Sequence, residues 1–70
     1  MIVKNQIRCK HCLALVVSAY RHDFHSHSCE EMKRAHPDDA EICIAADGGN
    51  SYLRRVGNRE DWEEASEVQP

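Results

Sequence analysis

The sequence predicts a small β-rich domain, an antiparallel sheet stapled by a metal ion, with a short charged helical insertion and an acidic C-terminal helix or tail. Three observations favour this fold class: the chain has only 70 residues, three of its four cysteines and four of its five histidines lie in the first half, and its apolar runs are short. In a domain this small, the apolar area that can be buried only balances the conformational entropy lost on folding. We therefore expect a staple, which here means a bound metal ion that links separate segments of the chain.

The first candidate ligands of that metal ion are Cys9 and Cys12, which form a CxxC pair. At this spacing two thiolates converge on one ion when the chain turns tightly. A redox role for a CxxC pair requires a βαβ context, which a chain without a long helical pattern does not supply. The pair therefore predicts metal ligands.

The second half of the site is the stretch "HSHSC", residues 25–29. In an extended segment alternate side chains share a face, so His25, His27 and Cys29 can point the same way. Tetrahedral zinc needs only two of them. His27 and Cys29 complete a Cys3His set with the CxxC pair, and we expect one structural Zn²⁺ there. His25 is an alternative ligand.

Cys43 is the other alternative, because it would complete an all-cysteine set with the remaining three thiols. Against this, it lies fourteen positions after Cys29 and forms no second compact pair. Its simpler interpretation is a buried strand thiol that packs as a small hydrophobe. His11 is expected to face solvent, and His36, just before Pro37, to be a solvated loop residue.

Short strands are predicted before and after the CxxC pair, over residues 2–8 and 13–20. The "DGGN" stretch separates two further runs and predicts a hairpin over residues 42–56. Between the stretch "HSHSC" and this hairpin lies a charged insertion, residues 30–40. It is predicted to form one or two helical turns that end before Pro37. Asn58 is a candidate N-cap for a C-terminal helix.

At these motifs the chain resembles a family of very short, uncharacterised zinc-ribbon-like proteins of phage and bacterial genomes. The resemblance rests on "IRCKHC", "YRHDF", "ADGGNSYLRRVGN" and "EDWEEASE". The CxC pair of that family falls on His27 and Cys29, which implies the Cys3His ligand set. It implies a zinc-ribbon-like domain over residues 1–59, with residues 30–40 inserted, followed by an acidic segment over residues 60–70.

Enzymatic activity is not expected, because four protein ligands close a zinc site whereas a catalytic zinc keeps one position open. No small-molecule substrate is indicated either. The absence of a 20-residue apolar run excludes a membrane-spanning helix, and residues 1–9 lack the apolar core of a signal peptide. We therefore expect a cytoplasmic protein, in the host cytoplasm if a phage encodes it.

Binding to another protein is the predicted function, and the phage association of the family that the sequence resembles implies a host factor as the partner, such as a component of a defence system. The tail from Glu60 onward has five acids and no base, and its tryptophan is a candidate anchor for an interface. The predicted partner-binding residues are Glu60, Asp61, Trp62, Glu63 and Glu64.

The alternative is a nucleic-acid-binding zinc ribbon. Its predicted contacts are the bases Lys4, Arg8, Lys10, Arg54 and Arg55. The isoelectric point near 5.9 argues against it, since dedicated nucleic-acid-binding domains are strongly basic.

Overall fold

Seven short β-strands form two antiparallel sheets in the computed structural model, which describes residues 2–39 and 41–69. In chain order the elements are β1 (Ile2–Cys9), β2 (Leu15–Ser18), β3 (His25–His27), helix α1 (Glu30–Ala35), β4 (Ile44–Asp47), β5 (Arg54–Val56), a 3-10 turn (Arg59–Asp61), β6 (Trp62–Glu64) and β7 (Glu67–Val68). The predicted β-rich class with antiparallel sheets is confirmed.

The first sheet is built around β1, which pairs with three other strands. One edge of β1 carries β2, with Ile7 opposite Val16, and the other carries β6 near its C-terminal end and β7 near its N-terminal end. Cys9, the last residue of β1, is paired with Trp62. The sheet therefore joins the first and last strands of the described chain.

The second sheet has the order β3-β4-β5 and contains the hairpin predicted from residues 42–56. Its strands are shorter than predicted. Gly48 and Gly49 in the connecting turn have positive φ angles of 117° and 58°, a region that L-residues with a side chain rarely adopt. A Cβ atom on Gly49 would lie 2.4 Å from backbone atoms of Tyr20, so this turn sits directly on the β2–β3 connection.

The core lies between the two sheets and helix α1. Its buried members are Ile7, Cys9, Val16, Met32, Ile42, Ile44, Ala46 and Trp62, with Cys29 packed against them. Met32 of α1 is fully buried, so the charged insertion contributes one apolar side chain to this core. Among the described residues, no helix is long and apolar enough to cross a bilayer.

The acidic C-terminal helix is not what the structure shows, and this corrects the prediction. Residues 59–61 form a 3-10 turn, and the chain then enters β6 and β7. The side chain of Asn58 caps nothing within the described residues. Instead the Gln6 side-chain amide donates a hydrogen bond to the Ala65 carbonyl oxygen at 2.8 Å, and Ser66 accepts one from the Gln6 backbone at 3.0 Å. Pairing with β1 therefore outweighs the local helix signals.

Candidate metal centre

Cys9, Cys12, His27 and Cys29 lie close enough to hold one metal ion. Their ligand atoms, three thiol sulfurs and one imidazole nitrogen, are all within 4.8 Å of one another. The Cys9 and Cys29 sulfurs are 3.8 Å apart, and Cys12 Sγ is 3.1 Å from His27 Nε2. The structure brings together the four ligands predicted from the sequence.

A tight reversal after β1 brings Cys12 back beside Cys9. The Leu13 amide donates to the Cys9 carbonyl oxygen, and the Cys9 amide donates to the Ala14 carbonyl oxygen, both at 2.9 Å. Leu13 adopts a φ of 66°, the left-handed conformation that such a reversal requires. Cys9 itself is buried beneath this turn, whereas Cys12 is exposed.

The other two ligands come from the second sheet and from the start of α1. His27 ends β3, where it pairs with Ile44 of β4. Cys29 is the N-cap residue of α1, in an extended conformation, and its side chain makes no capping hydrogen bond in the part of the chain described. The Cys29 sulfur is thus free to face the other ligands.

This donor set favours a soft or borderline transition ion. Thiolates select Zn²⁺, Cu⁺ or iron–sulfur chemistry, and imidazole is compatible with zinc. Four donors are the number that a closed tetrahedral shell requires, with no position left for water.

The two alternative ligands lie outside the cluster. His25 is exposed, and its Nε2 is 2.7 Å from Asp23 Oδ1. Cys43 is exposed, so the prediction of a buried strand thiol is wrong. It precedes β4 on the solvent side and lines a shallow groove with Glu41 and Val56.

A second cluster, which we call the His-Asp-His cluster, consists of His11, His36 and Asp61. Nε2 of each histidine lies 2.7 Å from the same atom, Asp61 Oδ1. The Asp61 side chain is only 1% exposed, and the imidazoles are 23% and 18% exposed. The expectations that His11 faces solvent and that His36 is a solvated loop residue are therefore wrong.

Hydrogen bonding within this cluster shifts the pKa values of its members. The hydrogen bond to Asp61 raises the pKa of His36 above its ordinary value of 6.5, against a smaller opposing effect of burial. Burial alone would raise the pKa of Asp61, but the hydrogen bonds from His11 and His36 outweigh it and lower the pKa. Both shifts favour a negatively charged Asp61 between the two rings.

Trp62 does not have the exposure expected of a partner anchor. It is 7% exposed and belongs to the core. The Arg59 guanidinium lies 4.3 Å from the centre of its ring, and that of Arg55 lies 6.0 Å away. A side chain covered in this way has little surface to offer a partner, which counts against its predicted role as an anchor.

Several of the bases and acids predicted to bind partners form ion pairs within the chain. Arg8 contacts Glu63 at 3.2 Å, Arg55 contacts Glu64 at 3.0 Å, and Arg54 contacts Asp47 at 3.5 Å. Three of the five bases predicted to contact nucleic acid therefore already face carboxylates. Lys4 and Lys10 are exposed.

Residues 1–33 match a family model described as "Domain of unknown function (DUF7695)". The matched stretch includes all four residues of the candidate metal centre. No curated protein and no solved structure matches the chain.

Proposed function

We propose that the protein is a small zinc-stapled binding module in which Cys9, Cys12, His27 and Cys29 hold one structural Zn²⁺. One observation carries the proposal: the four ligand atoms converge although they come from β1 and the turn after it, from β3 of the other sheet and from the start of α1. An ion at this position would join β1 of the first sheet to β3 of the second. A domain of this size gains from such a link the stability that its small core lacks.

The distance between one pair of sulfurs fits a tetrahedral zinc. Tetrahedral Zn²⁺ with Zn–S bonds of about 2.3 Å places two sulfurs about 3.8 Å apart. The Cys9 and Cys29 sulfurs lie 3.8 Å apart. The four protein donors leave no open position for a substrate, which supports a structural ion and a non-enzymatic protein.

For the binding function we propose a host protein as the partner, in the cytoplasm, in line with the phage association of the family that the sequence resembles. The exposed side chains that support it are apolar rather than acidic. Leu15 on β2 is exposed, as are Leu13, Tyr20 and Phe24 in the loops around β2. Exposed aromatic side chains are the residues from which interface hot spots are commonly built.

Nucleic-acid binding is the weaker candidate because the acids of β6 compete for the bases. Glu63 and Glu64 already contact Arg8 and Arg55. Binding a phosphate backbone would require these pairs to separate. Of the five bases predicted to contact nucleic acid, Lys4 and Lys10 are the two that form no ion pair among the described residues.

Affinity capture from a bacterial lysate, with and without nuclease treatment, tests the binding proposal. Wild-type protein should retain a protein partner after digestion, and Tyr20→Ala combined with Phe24→Ala should lose it. Leu53→Ala is the matched control, since Leu53 is an exposed apolar residue in the β4–β5 connection. Loss of all partners on nuclease treatment would support the nucleic-acid candidate, and retention by the double variant would contradict the proposed surface.

A further inference from the structure

The His-Asp-His cluster has the features of a second metal site, separate from the four-ligand centre. Both histidines present the same ring atom, Nε2, to a single carboxylate oxygen. Their rings meet edge to face, with centroids 6.5 Å apart and planes at 89°. Two imidazoles that differ by 25 positions in the chain thus converge on one point.

The Asp61 carboxylate is incompletely satisfied by this arrangement. Oδ1 accepts both histidine contacts, whereas Oδ2 is buried and has no hydrogen-bond partner among the described residues. A buried carboxylate oxygen without a partner is costly. A cation beside Asp61 would compensate its charge.

We propose that His11, His36 and Asp61 bind a second divalent transition-metal ion. Two imidazole nitrogens and one carboxylate oxygen are a common ligand set for zinc and for ferrous iron, and they disfavour magnesium and calcium, which prefer oxygen alone. The three ligand atoms already lie within 4.8 Å of one another. Metal–ligand bonds of about 2.1 Å at tetrahedral angles place two ligand atoms about 3.4 Å apart. The distance from each Nε2 to Asp61 Oδ1 therefore has to increase by less than about 1 Å when the ion binds.

This second ion differs from the first in its exposure and coordination. Three protein ligands leave at least one position for water or for an added ligand, and both rings are partly open to solvent. The side chain of Glu60 is exposed, and its Oε1 lies 3.7 Å from His36 Nε2. We therefore expect an exchangeable ion that binds more weakly than the four-ligand ion.

Binding there would tie together three separate segments. His11 lies inside the turn between Cys9 and Cys12, His36 caps the C-terminal end of α1, and Asp61 ends the 3-10 turn. The Lys10 amide also donates to the Asp61 carbonyl oxygen at 2.9 Å. The ion would hold the end of α1 against the turn that carries two ligands of the first site.

Zinc titration of the untagged 70-residue chain, followed by NMR of the five histidine rings, tests this inference. The first equivalent should shift the ring signals of His27, and the second should shift those of His11 and His36 while His22 and His25 stay unchanged. A single equivalent, or a second one that moves only His22 or His25, would overturn the proposal. Failure of the first equivalent to reach His27 would instead count against the four-ligand site, so the two claims are separable.

Variants make the assignment specific. His36→Gln should abolish binding of the second equivalent, measured by calorimetry on protein carrying one zinc, and keep the first. The control is His22→Asn, because asparagine tolerates the positive φ of 67° at that position. Asp61→Asn, which preserves the side-chain shape, should also lose the second equivalent and serves if His36→Gln does not fold. Retention of the second equivalent in a folded variant of either residue would contradict the site.

Discussion

Cys12 and Cys43 are two exposed thiols, and only Cys12 lies in the four-ligand cluster. We expect Cys12→Ser to lose zinc and to unfold, because a structural zinc contributes on the order of 10 kcal/mol to small domains. Cys43→Ser should leave both zinc content and thermal stability unchanged. Zinc content after dialysis and circular dichroism melting curves measure both effects. Loss of zinc in Cys43→Ser would point to the all-cysteine ligand set.

Glu64 should titrate below the ordinary range of glutamate. Burial alone would raise its pKa, but hydrogen bonds from Arg55 and Ser66 outweigh this and lower it below 4.5. Because the folded-state pKa is depressed, the stabilisation is present above the unfolded value and is lost as the pH falls through the folded one. NMR titration of the Glu64 carboxyl carbon measures the shift.

Arg55 donates to both carboxylate oxygens of Glu64, from Nε to Oε2 and from Nη2 to Oε1. Arg55→Lys is the matched variant for that titration, since lysine keeps the charge but cannot form this bidentate contact. It should move the Glu64 pKa back towards 4.5. An unchanged Glu64 titration in Arg55→Lys would show that Arg55 is not the cause.

The sequence could predict the four ligands because their spacing is local: CxxC and HxC each occupy one short stretch. The His-Asp-His cluster has no such signal. His11 and Asp61 are 50 positions apart, and His36 and Asp61 are 25 apart. Only the fold brings them together, so composition and spacing indicated separate solvent-facing residues.

At the scale of elements, α1 packs its single buried side chain into the core. Met32→Ala should destabilise the fold by about 2–5 kcal/mol, the usual cost of removing a buried methionine side chain. Lys33→Ala on the exposed face should cost little. Urea unfolding of the zinc-loaded variants measures both. If Met32→Ala and Lys33→Ala unfolded at the same urea concentration, residues 30–40 would be peripheral to the fold, as their polar sequence suggests.

The β4–β5 turn should tolerate change at Asn50 but not at Gly49. Gly49→Ala places a Cβ atom 2.4 Å from the Tyr20 backbone at a φ of 58°, so the contact between the two turns has to open. Asn50→Ala in the same turn is exposed and serves as the control. We expect a clear loss of thermal stability for Gly49→Ala alone, and equal melting temperatures would contradict the close contact.

Local turn chemistry explains which elements could be predicted. The "DGGN" stretch encodes the hairpin through residues that tolerate positive φ. The C-terminal strands could not be predicted in this way, because acids and Asn58 resemble a helix start. Their pairing depends on β1, about 55 positions earlier, and on side chains such as Gln6.

At the scale of the whole molecule, the candidate metal centre lies where the two sheets meet. Cys9 belongs to the first sheet and His27 to the second, while Cys29 begins the helix that covers the core. The need for a staple could be inferred from chain length alone. The division into two sheets could not, because it depends on which strands pair with β1.

Zinc-edge X-ray absorption of the protein loaded with one equivalent of zinc tests the central claim most directly, since it reports the ligand atoms themselves. A Cys3His site predicts three sulfurs at about 2.3 Å and one nitrogen at about 2.0 Å. A shell of four sulfurs would place Cys43 at the metal, and a shell dominated by nitrogen and oxygen would move the structural ion to other residues. Either result would contradict a zinc staple formed by Cys9, Cys12, His27 and Cys29.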